Sequence, residues 1–333
     1  MSEQMASKGP QLQETDLINF SQGKILVVGV GGGGGNAVNH MVQQNLQGAD
    51  LCVVNTDQQA LDKLDVPYKY AIGSYTTRGL GAGANPEVGY NAAKESAHEI
   101  EKLVQDYDIV FITAGMGGGT GTGAAHLIAQ EARKKNIVTI GVVTLPFTFE
   151  GKKRDHLARQ GVEQLRQQVN SLIIIPNDKL KFSLGPKTSL LDAFGAANDV
   201  LYNAMSAMVG IIHRPGFINV DFADVKTVMS ASGLALIGNG ESKGQDRVEK
   251  AVEKALSCEL ITDIPLENAQ GLLVCVTSSQ DISLGEFQAV GEAFYDIAGD
   301  ESAVIIGTTI DESMGDSIRI TVVATGFETA DAL

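Results

Sequence analysis

The chain has 333 residues, 44% hydrophobic and 20% charged, which is enough for a large core in about two domains. Its formal net charge of −15 argues against a nucleic-acid-binding surface, because such a surface requires a basic face. The three cysteines have no C-x-x-C spacing and the five histidines have no metal-ligand spacing, so we expect core thiols and no metal site built from side chains alone. No apolar run reaches the roughly 18 residues of a membrane span, and the N-terminus lacks the apolar centre of a signal peptide. The sequence therefore predicts a cytoplasmic protein.

The first part of the chain has the pattern of a doubly wound sheet. Residues 1–22 are polar and predict a flexible arm. An apolar run at residues 24–30 predicts a buried strand, a glycine run at 31–35 follows, and a helix is expected from Ala37. Residues 51–57 predict the next strand. Strand, glycine turn, helix and strand open a parallel α/β sheet, whose ligands bind beyond the carboxyl ends of the strands.

The first glycine run also fits G-x-G-x-x-G, the pattern of dinucleotide-binding proteins, at Gly29, Gly31 and Gly34. Taken literally, it predicts a nicotinamide-dependent oxidoreductase with Asp57 as the ribose ligand. Asp57 lies 28 residues after Gly29, however, which exceeds the usual ~20. A P-loop is excluded, because no G-x-x-x-x-G-K-[ST] occurs.

A second glycine run, residues 115–123, has no counterpart in the dinucleotide pattern. It follows an apolar run at residues 108–114 that predicts a buried strand, and it precedes a helix expected from Ala124. Glycines let backbone N–H groups approach a ligand, and the N-terminus of a helix favours an anion. A third glycine-rich segment, residues 79–87, contains an Asn–Pro step suited to the cap and first turn of a helix. Three such loops predict a phosphate chain held at several points.

Two further strands are predicted at residues 136–144 and 172–178. The first of them leads to Glu150, which can accept hydrogen bonds from ribose hydroxyls, and to Arg154, which can reach phosphate or ribose. The basic run that ends at Arg154 could equally be a solvated surface.

A long helix is predicted at residues 189–212, because Ser189 and Asp192 fit a capping box and apolar residues recur at steps of three and four. At ~1.5 Å per residue it would span roughly 36 Å and could connect two domains. Asn198 is either a tolerated core asparagine or an amide that reads a base, with Phe194 stacked one turn earlier. The predicted inward seam is Leu191, Phe194, Asn198, Leu201, Met205, Met208 and Ile212.

An acidic segment follows the long helix. Asp221 and Asp224 are three residues apart, so their carboxylates can share one face of a helix. Ordinary acidity at a helix N-terminus is the alternative explanation. Beyond about residue 248 a smaller α+β domain is predicted, with strands at residues 272–277, 303–309 and 318–325.

With these residues in hand, the chain closely resembles the tubulin/FtsZ family of bacterial cell-division GTPases from about Lys24 to Phe327. The resemblance implies the tubulin/FtsZ fold, an α/β architecture in which a long central helix joins a Rossmann-like parallel-sheet GTPase domain to a smaller α+β domain. The matching segments are residues 31–36, 81–86, 118–123 (the tubulin-type signature), 149–154, 176–178 and 219–224. The implied division is a flexible arm at 1–22, a GTP-binding domain at 23–188, the central helix at 189–213, a C-terminal α+β domain at 214–328 and a tail stub at 329–333.

The resemblance implies a bound guanine nucleotide, GTP or GDP, with Mg²⁺ as the expected counter-charge. Glu150 and Arg154 would contact the ribose. Asn198 stands where many relatives have aspartate, and Asp199 follows it, so either residue could face guanine. The implied phosphate contacts are Gly32, Gly33, Gly34, Gly35, Gly118, Gly119, Thr120 and Gly121, with Ala82, Gly83, Ala84 and Asn85 near the terminal phosphate. The implied base contacts are Asn36, Asn177 and Asn198, with Phe194 against the ring.

In this family the acidic loop completes the nucleotide site of the next subunit in a head-to-tail filament. Asn219, Asp221 and Asp224 would position the attacking water, and hydrolysis would depend on assembly. Head-to-tail contacts between copies do not close, so they build open filaments. A family member that binds GTP without hydrolysing it is an alternative, against which the presence of both aspartates argues.

The implied function is a polymerising GTPase of the cytokinetic ring at mid-cell. The first implied partner is the chain itself, as a homopolymer. Ring regulators and membrane tethers are implied by analogy, although the usual linker and tether-binding peptide do not follow Thr325. Neither a nucleic acid nor direct membrane insertion is expected.

Overall fold

The computed structural model describes residues 23–180, 185, 187–214, 216–231, 233–261 and 264–327. The predictions for the arm at residues 1–22 and the tail at 329–333 lie outside the described residues. All structural statements below concern the described part of the chain.

Strands and helices alternate through the first half of the chain, as the sequence predicted. The strands are β1 (Ile25–Val30), β2 (Asp50–Asn55), β3 (Tyr68–Ala71), β4 (Ile109–Gly115), β5 (Val138–Leu145), β6 (Ser171–Pro176), β7 (Gly233–Lys243), β8 (Gly271–Ser278), β9 (Ala303–Ile310) and β10 (Ser317–Phe327). The helices are α1 (Gly31–Gln43), α2 (Gln58–Asp62), α3 (Ser74–Thr77), α4 (Pro86–Glu95), α5 (Ala97–Val104), α6 (Thr120–Lys134), α7 (Lys152–Arg166), α8 (Leu190–His213), α9 (Phe222–Met229), α10 (Arg247–Leu256) and α11 (Leu284–Ile297). Short 3₁₀ turns lie at Thr148–Glu150, Asn177–Leu180, Leu266–Asn268 and Glu312–Met314.

The strands form one continuous mixed sheet in the order β3-β2-β1-β4-β5-β6-β7-β10-β8-β9. Every neighbouring pair from β3 to β7 is parallel, β10 is antiparallel to both of its neighbours, and β8 and β9 are parallel. The doubly wound parallel sheet that the sequence predicted is confirmed. Because β6 pairs directly with β7, the sheet does not mark a domain boundary, and the division at residues 188 and 214 stays a prediction.

The core lies on both faces of this sheet. The side chains of β1 alternate between two buried clusters, with Leu26 and Val28 on one face and Ile25 and Val27 on the other. The first face is covered by α4 to α7, α10 and α11, and the second by α1, α8 and α9. Burial on both faces explains why the strands read as continuous apolar runs.

Helix α8 has almost the predicted bounds, because its cap forms as expected: the Ser189 hydroxyl accepts a hydrogen bond from the Asp192 N–H at 3.1 Å. It packs against α1 and against β8, β9 and β10, and so bridges the two parts of the sheet. The predicted inward seam is wrong at its start. Met205 is fully buried, but Leu191 is 82% exposed, because the first turns of α8 stand beside an open cleft.

The first glycine run was predicted to be a loop ahead of its helix, but residues 31–35 form the start of α1 itself. In the second run, residues 116–119 form the turn after β4, and the helix α6 begins at Thr120, earlier than the predicted Ala124. Glycine is a poor helix former, so tight packing must outweigh propensity here. A Cβ on Gly34 would lie 2.2 Å from the Thr113 carbonyl oxygen, and one on Gly123 would lie 2.0 Å from the Pro86 carbonyl oxygen. No side chain fits at these two positions.

A matched pair of substitutions tests this packing. Gly34→Ala should lower the free energy of unfolding of the nucleotide-free protein by about 1–3 kcal/mol, because the new methyl group overpacks the contact with β4. Gly32→Ala, two residues away, places its methyl group in open space and should not lower it. Urea denaturation of both variants measures the difference, and equal destabilisation would contradict the packing argument.

A buried arginine joins α10 to α11. The Arg247 side chain is 7% exposed and pairs with Glu286 at 2.7 Å and Asp281 at 2.9 Å. The guanidinium holds the pKa of both carboxyls below their ordinary values of 4.5 and 3.8. Ionised, hydrogen-bonded carboxylates therefore stabilise this part of the fold.

The lowered pKa values predict a loss of stability in acid. A carboxyl whose pKa is lowered by folding contributes stability that is present above its unfolded pKa and lost as the pH falls through the folded value. The free energy of unfolding should therefore decline below pH 4.5. Arg247→Met should make that decline shallower, and an unchanged pH profile would contradict the role assigned to this cluster.

Candidate functional site

The three glycine-rich segments meet at the carboxyl edge of the sheet, where α1 follows β1 and α6 follows the neighbouring strand β4. A Cβ on Gly31 would lie 2.7 Å from the backbone nitrogen of Gly121, so the two helix N-termini are in direct contact. A Cβ on Gly119 would lie 2.7 Å from the Cβ of Ala82, which brings in the third segment. The structure thus gathers the three predicted loops at one place.

The N-termini of α1 and α6 are suited to an anion. Neither helix has a side-chain capping hydrogen bond, and neither has an acidic residue in its first turn. The first N–H groups of a helix have no partner within it, and the dipole places partial positive charge there. Two adjoining N-termini of this kind have the properties that favour phosphate binding.

The glycines predicted to contact phosphate differ in the room around them. At Gly32 and Gly83 a Cβ would meet no atom within 4 Å, and at Gly118 it would meet one only at 4.0 Å, so these positions border open space. Thr120 is engaged otherwise, since its hydroxyl lies 2.6 Å from that of Thr56 in a buried hydrogen bond. The glycines that serve close packing are Gly33, Gly34, Gly35, Gly119 and Gly121.

The third segment has a special backbone. Gly81, Gly83 and Ala84 all have positive φ, which for Ala84 is unfavourable by roughly 1–2 kcal/mol. The segment ends in the predicted cap, because the Asn85 side chain accepts a hydrogen bond from the Glu87 N–H at 3.0 Å. This cap holds the turn against the start of α6.

A cleft with an empty volume of about 550 Å³, part of it open to solvent, lies next to these turns between α1, the end of β5 and α8. The predicted residues that line it are Gly33, Asn36, Glu150, Arg154, Asn177, Phe194 and Asn198. Gly115 and Met116 of the predicted second glycine run also line it, and the lining residues that were not predicted as ligand contacts are Thr144, Pro146, Ala197 and Leu201. Base, ribose and phosphate candidates therefore border one continuous space.

Asn177 gives the strongest indication that the cleft binds a ligand. It is 5% exposed, and its buried Oδ1 has no hydrogen-bond partner among the described residues. An unpaired buried acceptor of this kind is unfavourable by about 1–3 kcal/mol. A ligand N–H donor in the cleft would satisfy it.

The structure resolves which of two neighbouring residues faces the cleft. Asn198 lines it, whereas the Asp199 Oδ1 lies 2.8 Å from Nε2 of His40 on α1. The carboxylate of Asp199 is thus engaged in joining α8 to α1. The amide of Asn198 remains available to a ligand.

Glu150 and Arg154 form a pair one helical turn apart. One carboxylate oxygen of Glu150 accepts a hydrogen bond from the Phe147 N–H at 2.8 Å, and the other lies 3.2 Å from Nε of Arg154. This fixes the guanidinium at the cleft. The basic run is therefore not only a solvated surface.

Phe147 is a supporting residue that the sequence analysis missed. Its buried ring stacks on Phe149 at 4.9 Å and meets Phe194 edge-on at 5.4 Å, so it positions the ring that borders the cleft. The alternation of phenylalanines just after β5 was the signal that could have indicated it.

The acidic segment does not belong to this cleft. Asp221 occupies the N-cap position of α9 without making a side-chain capping bond, and no partner is found for its carboxylate or for that of Asp224 in the described part of the chain. The Asn219 side chain accepts a hydrogen bond from the Gly216 N–H at 3.0 Å and shapes the loop. Two exposed carboxylates are thus left unengaged.

The acidic loop lies at the opposite end of the subunit. A Cβ on Gly23, just before β1, would lie 2.5 Å from the ring of Phe222, whereas the glycine turn follows the end of β1. The six residues of β1 separate the two ends by about 20 Å. The loop therefore cannot reach the cleft of its own subunit.

A doubly wound sheet with two uncapped helix N-termini beside an amide-lined cleft defines a nucleotide-binding protein. Comparison with family models identifies which one. The model of the tubulin/FtsZ family GTPase domain matches residues 24–184, and that of the FtsZ family C-terminal domain matches residues 233–328. The chain belongs to the tubulin/FtsZ family and is a GTPase.

Individual relatives agree with this assignment. The chain is 55% identical to the cell division protein FtsZ of Wigglesworthia glossinidia brevipalpis over 92% of its own length and 80% of the relative's. It is 49% identical to that of Pseudomonas aeruginosa, over 92% and 78% of the two chains. Among solved structures, an empty FtsZ dimer from M. jannaschii matches with a TM-score of 0.88 and 43% identity, over 93% and 90% of the two chains.

These findings confirm the family resemblance and the fold. The oxidoreductase alternative is wrong, and the carboxylate of Asp57 serves instead as the cap of α2, where it accepts a hydrogen bond from Ala60. Cys52 and Cys275 are buried as expected, and burial raises the pKa of both thiols. Among the described helices, none is long and apolar enough to cross a membrane.

The unpaired oxygen of Asn177 leads to a testable prediction. Asn177→Leu should raise the free energy of unfolding of the nucleotide-free protein by about 1–3 kcal/mol, because a buried acceptor without a partner is removed. The same variant should bind GTP more weakly than the parent protein. Thermal denaturation and binding of a fluorescent GTP analogue measure the two effects. A variant that loses stability while binding GTP normally would contradict the role of this oxygen.

Proposed function

We propose that the protein binds GTP or GDP in the cleft, polymerises head-to-tail, and hydrolyses GTP where two subunits meet. The observation that supports this most directly is the separation of the cleft from the acidic loop. The cleft has phosphate donors at one end of the subunit, and the loop presents two unengaged carboxylates at the other. Stacking copies in one direction brings the two halves together.

The phosphates bind at the joined N-termini of α1 and α6. The open positions Gly32 and Gly118 admit them to the backbone N–H groups, where a side chain would intervene. Residues 82–85 lie against Gly119, close to the position of the terminal phosphate. The other glycines of the signature hold the two helices close enough to share one ligand.

The base lies in the deeper part of the cleft. Guanine carries N–H donors on its Watson–Crick edge, and the carbonyl oxygens of Asn177 and Asn198 accept from such donors. Phe194 packs against the ring, and Asn36 contacts the base from α1. The paired Glu150 and Arg154 contact the ribose.

The acidic loop of the next subunit supplies the groups for hydrolysis. Asp221 and Asp224 polarise and orient the attacking water, and Asn219 holds the loop in shape. Positioning and charge stabilisation are the main requirements of phosphoryl transfer. The described residues contain no group of three or more His, Cys, Asp or Glu side chains that could hold a metal ion. Mg²⁺, which binds mostly to phosphates and water, would therefore arrive with the nucleotide and neutralise its charge.

Exposed apolar residues at both ends favour a subunit contact. Phe217 and Ile218 next to the acidic loop are 58% and 42% exposed. Phe149, Leu190 and Leu191 are exposed near the cleft. Burial of such side chains against each other makes the free energy of association more favourable. The contact joins two different surfaces, so it propagates as an open filament.

In the cell, the filament would form the cytokinetic ring at mid-cell in the cytoplasm. The relatives named above are cell division proteins, and this role is carried over from them. Ring regulators and membrane tethers are the partners expected by the same analogy.

A mixing experiment tests whether the site is shared. Asp221→Asn keeps the cleft intact, whereas Gly118→Val fills the phosphate position in a place with room for the side chain. Each variant alone should hydrolyse GTP slowly. An equimolar mixture should recover up to about a quarter of the wild-type rate. Half of the clefts and half of the loops are intact, so about one contact in four places an intact cleft against an intact loop. No recovery in the mixture, although Asp221→Asn binds GTP, would overturn the shared site.

A control and a concentration series complete the test. Asp65→Asn, at an exposed carboxylate outside the cleft and the loop, should keep the wild-type rate. The rate per subunit of the wild-type protein should rise with protein concentration above a threshold. A constant rate per subunit would mean that each subunit carries a complete site.

A further inference from the structure

A second, larger concavity lies in the C-terminal part of the chain, away from the GTP cleft. It is an open groove with an empty volume of about 1170 Å³, including space open to solvent, between the ends of α10 and α11 and the segment before β8. Its floor is apolar and consists mainly of Leu256, Ile261, Ile264, Leu266 and Ile297. An open apolar groove of this kind is suited to the side chains of an extended or helical segment.

The rim of this groove carries charge of one sign. Glu267, Asp296 and Asp300 line it, and within the part of the chain that the structure describes no lysine or arginine does. None of the three carboxylates has a hydrogen-bond or ion-pair partner among the described residues. The rim is therefore complementary to a basic ligand.

The groove is separate from both halves of the GTPase site. It shares no residue with the cleft. Asp300 lies just before β9 starts at Ala303, whereas Thr308, further along β9, contacts the acidic loop through the Ile218 N–H at 2.9 Å. Ala303 and Thr308 are five strand residues apart, so the groove end of β9 lies about 17 Å from the contact with the acidic loop.

We propose that the groove binds a segment of another protein, in which apolar side chains are flanked by lysine or arginine. The apolar side chains fill the floor, and the basic ones pair with Glu267, Asp296 and Asp300. The chain's own N-terminal segment does not have this chemistry, since residues 1–22 contain one lysine and three acidic residues.

The probe is a short synthetic peptide in which leucine and isoleucine alternate with lysine, and its binding is followed by fluorescence anisotropy. A rim variant, Glu267→Gln with Asp296→Asn and Asp300→Asn, should bind it about tenfold more weakly, since three exposed ion pairs are lost. A control variant with equal charge change, Asp65→Asn with Glu99→Gln and Asp106→Asn, should bind within about twofold of wild type. Equal losses in both variants would overturn the proposal, because the attraction would then be non-specific.

Two further measurements locate the peptide. A peptide with serine in place of leucine and isoleucine should bind at least tenfold more weakly, because the floor is apolar. Hydrogen exchange should slow at residues 264–267 and 296–300 when the lysine–leucine peptide is bound. Protection elsewhere, or equal affinity of the serine peptide, would overturn the proposal. The rate of GTP hydrolysis of the rim variant should match that of wild type, which shows that the fold is intact.

Discussion

The contact between the N-termini of α1 and α6 is the constraint on which the rest of the structure depends. A side chain on Gly31 would collide with the backbone of Gly121, because its Cβ would lie 2.7 Å from the Gly121 nitrogen. The contact requires β1 and β4 to be neighbours in the sheet, which is a crossover topology and not a meander. It also directs two helix dipoles to one place, so in the proposed function phosphate binding would offset the energetic penalty of so many glycines in helices.

Helix α8 packs against α1 and runs from the cleft to the other end of the molecule. Its first turns present Phe194 and Asn198 to the cleft, its middle is buried against the sheet, and its end leads into the acidic loop. Asp199 fixes it to α1 through His40. One continuous helix thus connects the cleft to the opposite end of the subunit. The length of this helix sets how far the acidic loop lies from the cleft.

Sequence patterns predicted the strands, the cap of α8 and the three glycine-rich turns, because these depend on local features such as apolar runs, Ser189 and glycine spacing. These patterns failed where contacts between residues distant in sequence determine the start of a helix or the burial of a side chain. The helices begin within the glycine runs because Gly34 and Gly123 must pass close to other backbone segments, which no propensity reveals. Leu191 was assigned to the core because periodicity does not show where a helix leaves the sheet. Guanine itself followed only from the family resemblance.

Because the acidic loop and the cleft lie at opposite ends of the subunit, the two ends of a filament differ. In the proposed arrangement, a filament always contains one more cleft than it has completed sites. The subunit at one end therefore holds its nucleotide where no neighbour can act on it, and it keeps the triphosphate until another subunit is added. The two ends of the filament are chemically different for this reason, and the difference arises from subunits with identical sequences.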